Sequence, residues 1–126
     1  MSFPKMTTKD WDELMFFKPE EFNCSHSGAN GMSRDFIIRL EHLRAACGFP
    51  FVITSGYRSV DHPVEAKKAK AGTHAQGIAA DIKVTSGAQR FIIVQKALEL
   101  GFDGIGIANG FVHVDTRQTT PVMWTY

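Results

Sequence analysis

The sequence has few cysteines, no long apolar run and no excess of either charge. Its 126 residues include two cysteines, 14 Lys plus Arg and 13 Asp plus Glu, which gives a formal net charge of +1. This balance argues against nucleic acid as the main partner, because phosphate binding requires concentrated positive charge. No stretch approaches the ~18 apolar residues of a membrane helix, so we expect no membrane partner either.

The scarcity of cysteine excludes two kinds of structure. Cys24 and Cys47 cannot make a disulfide framework or a tetrahedral thiolate metal site by themselves. They are either free and partly buried, which we favour, or joined in one bridge. Residues 1–5 lack the apolar segment of a secretory signal peptide. We therefore expect synthesis in the cytoplasm, so that any action on the cell wall requires another means of release.

The apolar pattern predicts one α+β domain over residues 1–126. Helices are predicted at 9–17 (ended by Pro19), 34–47, 64–71 and 87–100, with Phe91 and Leu98 on the core face of the last. Strands are predicted at 51–54 and 78–84, and residues 104–107 and 111–115 predict a hairpin around Asn109-Gly110. The tail, 118–126, can pack back as an edge. This order predicts a small, mostly antiparallel sheet with helices packed against it.

The strongest functional signal lies between residues 72 and 82. Residues around His74 have the glycine content of a loop, and residues 78–82 read as a short buried strand that contains Asp81. A carboxylate in such a strand is costly unless it is paired or bound to a metal. His74 lies on the preceding loop, so the chain can fold it back toward Asp81.

A third candidate ligand lies in residues 111–115. If this segment is a strand, Val112 and Val114 face one side while His113 and Asp115 face the other. His74, Asp81 and His113 then offer two imidazoles and a carboxylate, a donor set that suits zinc. Three protein ligands leave a fourth position open, which is typical of catalytic rather than structural zinc sites.

Three motifs together resemble a known family. They are Thr54-Ser55-Gly56-Tyr57-Arg58-Ser59, His74-x-x-Gly77-x-Ala79-x-Asp81 and Val112-His113-Val114-Asp115. They resemble the D-alanyl-D-alanine carboxypeptidase family of zinc peptidases, which includes phage endolysins, vancomycin-resistance D,D-dipeptidases and, more distantly, the Hedgehog domain. Order and spacing agree from about Phe22 to Arg117, so that residues 1–22 form an N-terminal helical segment and 23–117 a family-like core. The resemblance implies a Hedgehog-like or D,D-peptidase-like fold that binds Zn²⁺.

The resemblance also implies roles for residues near the metal. Arg58 would bind substrate and stabilise the tetrahedral intermediate, and Ser55 would contact substrate or brace the site. Many family members have Glu or Asp three residues before the last ligand, but this chain has Gly110 there. We therefore predict Asp115 as the general base, because it shares a strand face with His113. Its rival role is to hold a ligand histidine in place, and Asp103 is the reserve candidate for the base.

The expected function is hydrolysis of a peptide bond in bacterial peptidoglycan. The expected partners are peptidoglycan stem peptides, and the expected oligomeric state is a monomer. A compact catalytic domain of this kind suits a phage or prophage enzyme that acts in lysis or on the phage tail. Two other interpretations remain open: a catalytically inactive zinc-binding module that binds cell wall or protein, and a structural phage component without metal.

Overall fold

The computed structural model describes residues 3–126, so Met1 and Ser2 of the predicted N-terminal segment lie outside the described residues. The helices are α1 (Thr8–Asp12), α2 (Arg34–Cys47) and α3 (Gly87–Glu99), with short 3₁₀ helices at Pro19–Phe22 and Glu65–Lys67. The strands are β1 (Ile53–Ser55), β2 (Ala79–Lys83), β3 (Gly104–Ile107), β4 (Phe111–Asp115) and β5 (Val122–Thr125). None of the helices in residues 3–126 has the length and apolar character needed to cross a bilayer.

The five strands form one sheet in the order β1-β2-β4-β3-β5. Neighbouring strands are antiparallel, except that β5 runs parallel to β3 at the edge. The predicted hairpin of β3 and β4 is present, and the tail packs back as an edge strand. The prediction of an α+β fold with a mostly antiparallel sheet is confirmed.

Helix α2 begins and ends where the sequence predicts. The Ser33 hydroxyl accepts a hydrogen bond from the backbone N–H of Phe36 at 3.3 Å, and Gly48 ends the helix with φ +75°. Both are the residue types preferred at those ends. The apolar face of α2 is fully buried and packs in one core with apolar residues of β2, β3 and β4, including Ile82, Ile105, Val112 and Val114.

The predicted core face of α3 is partly wrong. Ile93 and Ala97 are buried in the core, but Phe91 is 68% exposed and Leu98 is 56% exposed. With 3.6 residues per turn, residues 91 and 98 lie on a side of the helix about 130° away from that of residues 93 and 97. Apolar residues occur on both sides of α3, so their periodicity alone did not identify the buried side.

Two predicted helices are shorter than expected, because carboxylate side chains bind the backbone N–H groups that follow them. The first stops at Asp12, since the backbone N–H groups of Met15 and Phe16 donate to the Glu41 carboxylate of α2 at 2.6 and 3.2 Å. Pro19 begins a 3₁₀ helix instead of ending α1. Residues 64–71 form only the turn Glu65–Lys67, because the buried Glu65 carboxylate accepts the backbone N–H of Gly72 at 3.0 Å.

Both cysteines are free, as the composition favoured. Cys24 is buried, and its sulfur lies 3.5 Å from the Ser59 hydroxyl. Burial raises the pKa of this thiol, but hydrogen bonds from Ser59 and Ser27 outweigh burial and bring its pKa down to about 6. Cys47 is half-buried at the end of α2, where burial raises its pKa to about 11. The two thiols therefore differ strongly in acidity.

A single row of paired residues crosses all five strands. Ser55 pairs with Asp81, Asp81 with His113, His113 with Gly106, and Gly106 with Trp124. Directly paired residues present their side chains on the same face of a sheet. This transverse row therefore brings the two strand-borne ligand candidates together on the face opposite Ile82, Val112 and Val114.

Candidate metal centre and its cleft

The side chains of His74, Asp81 and His113 bring three donor atoms together. His74 Nε2 lies 3.3 Å and His113 Nδ1 lies 3.0 Å from Asp81 Oδ1. All three residues are buried, and their donor atoms lie within 4.8 Å of one another; within residues 3–126 no other such group of potential ligands occurs. Two imidazoles and one carboxylate are a donor set found in metal-dependent hydrolases, so these residues fit a divalent metal.

Gly77 sets the path of the loop that carries His74. Its φ of +77° is left-handed, and a Cβ at this position would collide with the carbonyl of Gly31. The backbone N–H of Gly77 donates to the carbonyl of His74 at 3.2 Å, and its own carbonyl accepts from Ser33 at 2.8 Å. Glycine is therefore required here both by conformation and by space, and the tight turn delivers the chain directly into β2.

Each ligand histidine is held by a partner on its other ring nitrogen. His74 Nδ1 lies 2.8 Å from the carbonyl oxygen of Gly56, and His113 Nε2 lies 2.7 Å from Asp115 Oδ2. When His74 Nδ1 donates its N–H to Gly56 and His113 Nε2 donates its N–H to Asp115, the other ring nitrogen of each histidine has no proton. His74 Nε2 and His113 Nδ1 can then bind a metal. Such outer partners orient ligand imidazoles and raise their basicity.

Asp115 lies behind the His113 ring and is fully buried. Its Oδ1 accepts from the backbone N–H and Nε of Arg117 at 3.2 and 2.9 Å, and its Oδ2 accepts from Arg117 Nη2 at 2.7 Å. The carboxylate also lies against Gly104, where any Cβ would collide with it. Both oxygens are thus engaged on the side of the imidazole away from Asp81. This arrangement favours the rival role of Asp115, holding His113 in place, and its role as general base stays a prediction.

Charges within the site are mutually stabilised. Burial opposes ionisation of Asp81, but hydrogen bonds from His113 and His74 outweigh it and hold its pKa well below the usual range. Burial likewise opposes protonation of His113, yet Asp115 and Asp81 hold its pKa above the ordinary value. The same carboxylates that stabilise a proton on His113 would stabilise a metal cation in its place.

Arg58 reaches the site from the turn that follows β1. Its Nη2 lies 3.8 Å from Asp81 Oδ2, and its Nε donates to the Ser55 hydroxyl at 3.2 Å. The Arg58 side chain is only 21% exposed, which separates it from an ordinary surface arginine. Ser55 thus braces Arg58, and its direct contact with substrate stays a prediction.

A model of the peptidase M15 family matches residues 15–115, which is most of the chain and includes the three candidate ligands and Arg58. The chain belongs to the peptidase M15 family. Members of the M15 family are metal-dependent peptidases, which agrees with the His-Asp-His site. None of the curated proteins compared with the chain matches it.

The M15 site opens into a cleft of about 300 Å³ with two chemically different walls. The basic wall consists of Arg58 and Lys68, which share one acidic partner, and the aromatic wall consists of Phe111, Trp124 and Tyr126, whose rings lie next to one another. The lining residues are Arg58, Lys68, Thr73, His74, Asp81, Phe111, His113, Arg117, Trp124 and Tyr126. Sequence reasoning missed Lys68, Arg117 and the aromatic wall. Strand alternation could have indicated Arg117, because a residue two positions after Asp115 in an extended segment points to the same face.

Sequence reasoning also missed Glu65, a buried acid beneath the basic wall. Its side chain is only 1% exposed, and its Oε2 lies 2.8 Å from Lys68 Nζ and 4.0 Å from Arg58 Nη1. Burial raises the pKa of Glu65, but the hydrogen bonds from Lys68 and Gly72 outweigh it and lower the pKa below its ordinary value. Glu65 therefore fixes two cations of the cleft and the loop that precedes His74.

We expect Glu65→Gln to lower the free energy of unfolding by about 1–3 kcal/mol at neutral pH, because Lys68 and the backbone N–H of Gly72 lose a buried, charged acceptor. Because the pKa of Glu65 is lower in the folded protein, its ionised form stabilises the fold above that pKa. The difference in free energy of unfolding between Glu65→Gln and wild type should therefore shrink as the pH falls through the pKa of Glu65, below its ordinary 4.5. Urea unfolding at several pH values measures this. Glu99→Gln is the control, since Glu99 is 55% exposed in its pair with Lys96. Equal, pH-independent effects in both variants would contradict the assignment.

Proposed function

We propose that the protein is a zinc-dependent peptidase that hydrolyses peptide bonds in bacterial peptidoglycan, as a D,D-carboxypeptidase or an endopeptidase. The observation that carries the proposal is the convergence of His74 Nε2, Asp81 Oδ1 and His113 Nδ1 at the base of a cleft, in a chain of the M15 family. The resemblance of the three motifs to D-alanyl-D-alanine carboxypeptidases supports peptidoglycan as the substrate. The same resemblance supports a phage-encoded enzyme that reaches the cell wall after release.

Different residues of the cleft would hold the metal and bind the substrate carbonyl. When bound, zinc supplies a Lewis acid that polarises the scissile carbonyl and lowers the pKa of water. His74, Asp81 and His113 would hold it, with their orientation fixed by Gly56 and Asp115. Arg58 directs its guanidinium into the same cleft, where it can donate hydrogen bonds to a carbonyl oxygen as negative charge develops on it.

The experiment that tests the proposal is digestion of purified peptidoglycan by the zinc-loaded protein, with the released fragments identified by mass spectrometry. Release of D-alanine would indicate carboxypeptidase action, and release of longer peptides would indicate endopeptidase action. The chelator-treated protein is the control and should release neither. Intact peptidoglycan after prolonged incubation with the zinc-loaded protein would reject hydrolysis of this substrate.

A specific observation favours a second candidate, a zinc-binding module that binds the cell wall without cleaving it. Among the described residues that line the cleft, Asp81 is the one carboxylate, and it is a candidate ligand. Gly110 supplies no side chain at the position of the family's acid, and Asp103 lines a separate pocket with Ser33 and Asp35. Binding of the zinc-loaded protein to peptidoglycan without fragment release would favour this candidate.

If the protein is a peptidase, Arg58→Ala and Arg58→Lys should both lower kcat/KM by about 10²–10³-fold, because both remove the planar fork that can face a developing oxyanion. Metal content should stay at the wild-type level. Arg39→Lys is a matched control, because Arg39 is half-buried like Arg58, lies outside the cleft and donates to the Gly101 carbonyl at 3.2 Å. Near-normal turnover in Arg58→Ala would assign Arg58 to the structure of the β1 turn instead.

A further inference from the structure

Trp124 lies at the end of the transverse row, next to Gly106, where the sheet surface has no side chain. Gly106 lies between Trp124 and His113 in that row and has no side chain. A Cβ on Gly106 would lie 2.7 Å from Cε2 and Nε1 of the Trp124 indole. Because Gly106 leaves this space, the indole lies across it and reaches His113, with 5.1 Å between the ring centroids and a 53° tilt.

The indole is held on a second side by Arg117. The guanidinium carbon of Arg117 lies 5.0 Å from the Trp124 ring centroid, and the same guanidinium is fixed by Asp115. Trp124 is therefore packed against His113, Gly106 and Arg117 while it remains partly exposed to the cleft. A rigid, partly exposed indole supplies apolar contact area at little cost in conformational entropy.

The aromatic wall continues outward from Trp124. The Tyr126 ring centroid lies 6.4 Å from that of Trp124 and 5.0 Å from that of Phe111. Arg58 and Lys68 lie on the basic wall of the same cleft. A ligand that fills both walls would direct an anionic group toward the basic residues and an apolar group toward the indole. Trp124 lies beyond residues 15–115, so the family match assigns it no role.

We propose that Trp124 is a specificity-determining residue whose indole packs against an apolar side chain next to the scissile bond, and that Gly106 gives the indole its place beside His113. This inference rests on the proposed peptidase function, and it names the part of the substrate that the cleft selects.

The first test measures selectivity with the peptide identified in the peptidoglycan digestion, synthesised with D-alanine or with glycine beside the cleaved bond. Wild type should cleave the D-alanine peptide with a kcat/KM about fourfold higher than the glycine peptide. Burial of the one additional methyl carbon contributes about 0.8 kcal/mol, which corresponds to that ratio. Trp124→Ala should lose this preference and keep its zinc. Gly106→Ala should lose it as well, since the indole must move. Phe91→Ala is the control, because Phe91 is an exposed aromatic residue on α3. If both peptides slow equally in Trp124→Ala, the residue only supports His113 and the inference is overturned.

The second test measures binding and does not depend on turnover. The chain has two tryptophans, and Trp11 is buried in the core against Phe22. Titration of zinc-loaded protein with N-acetyl-L-Lys-D-Ala-D-Ala should change the indole fluorescence in wild type and not in Trp124→Phe. A saturable change in fluorescence, without hydrolysis of either the tripeptide or peptidoglycan, would support Trp124 while rejecting the peptidase function. No change in wild type, or the same change in Trp124→Phe, would overturn the inference even if peptidoglycan is cleaved.

Discussion

Replacing His113 by alanine is expected to release the metal and abolish hydrolysis. Wild type should bind about one zinc per chain, whereas His113→Ala and His74→Ala should each retain a small fraction of it after dialysis. Activity should fall by on the order of 10³-fold or more, because the metal's stabilisation of charge in the transition state is worth several kcal/mol. Elemental analysis of the dialysed proteins and the peptidoglycan assay measure the two quantities.

Removal of a buried imidazole can also destabilise the fold, so the design needs variants that separate the two effects. His113 lies between Asp81 and Asp115, and its loss leaves both carboxylates without that partner. His113→Gln keeps a polar side chain there and should remain folded by circular dichroism while it loses zinc. His42→Ala is the control, since His42 is exposed on α2. Stoichiometric zinc in folded His74→Ala and His113→Gln would reject this metal site.

Replacing Asp115 by asparagine should weaken metal binding, with loss of activity as the consequence. Asparagine keeps the shape of the side chain but removes the negative charge from the partner of His113 Nε2, so the imidazole becomes a poorer ligand. Loss of such an outer partner typically costs about 10–100-fold in metal affinity or activity. Zinc titration monitored by competition with a chelating dye measures the affinity, and excess zinc should restore most of the turnover.

The competing role of Asp115 makes a different prediction for the same variant. If Asp115 is the general base, Asp115→Asn keeps its zinc, loses about 10²–10⁴-fold in rate, and gains nothing from added metal. The acidic limb of its pH–rate profile would also shift or vanish. Asp103→Asn is the matched control and should retain both zinc and activity, because Asp103 lines a separate pocket. Full activity and full affinity in Asp115→Asn would contradict both roles.

The parts of the fold that the sequence predicted correctly are those specified by neighbouring residues. Ser33 and Gly48 mark the ends of α2, and Asn109-Gly110 marks the turn of the hairpin. The three candidate ligands also followed from local patterns, because a buried carboxylate and strand alternation indicate which side chains share a face. Chemistry and periodicity were sufficient for the helix ends and the hairpin turn, whereas the meeting of Asp81 and His113, 32 residues apart, was also supported by the resemblance of the three motifs to the peptidase family.

The features that the sequence did not predict depend on contacts between distant segments. α1 ends early because Glu41 of α2 binds the backbone that follows it. The parallel pairing of β5 with β3 places Trp124 beside the metal site, and the tail itself carries no signal of that partner. A residue's local pattern cannot show which remote group will meet it.

Because the transverse row takes one residue from each strand, any change in the register between strands also changes which residues meet at the metal site. Sliding β4 by one residue along β2 would place Val112 or Val114 opposite Asp81 and turn His113 toward the helices. Deletion of a single residue within β2 or β4 should therefore be less tolerated than most replacements. A misaligned chain would lose its apolar core and its metal ligands together. A folded form with a wrongly assembled centre should therefore not accumulate.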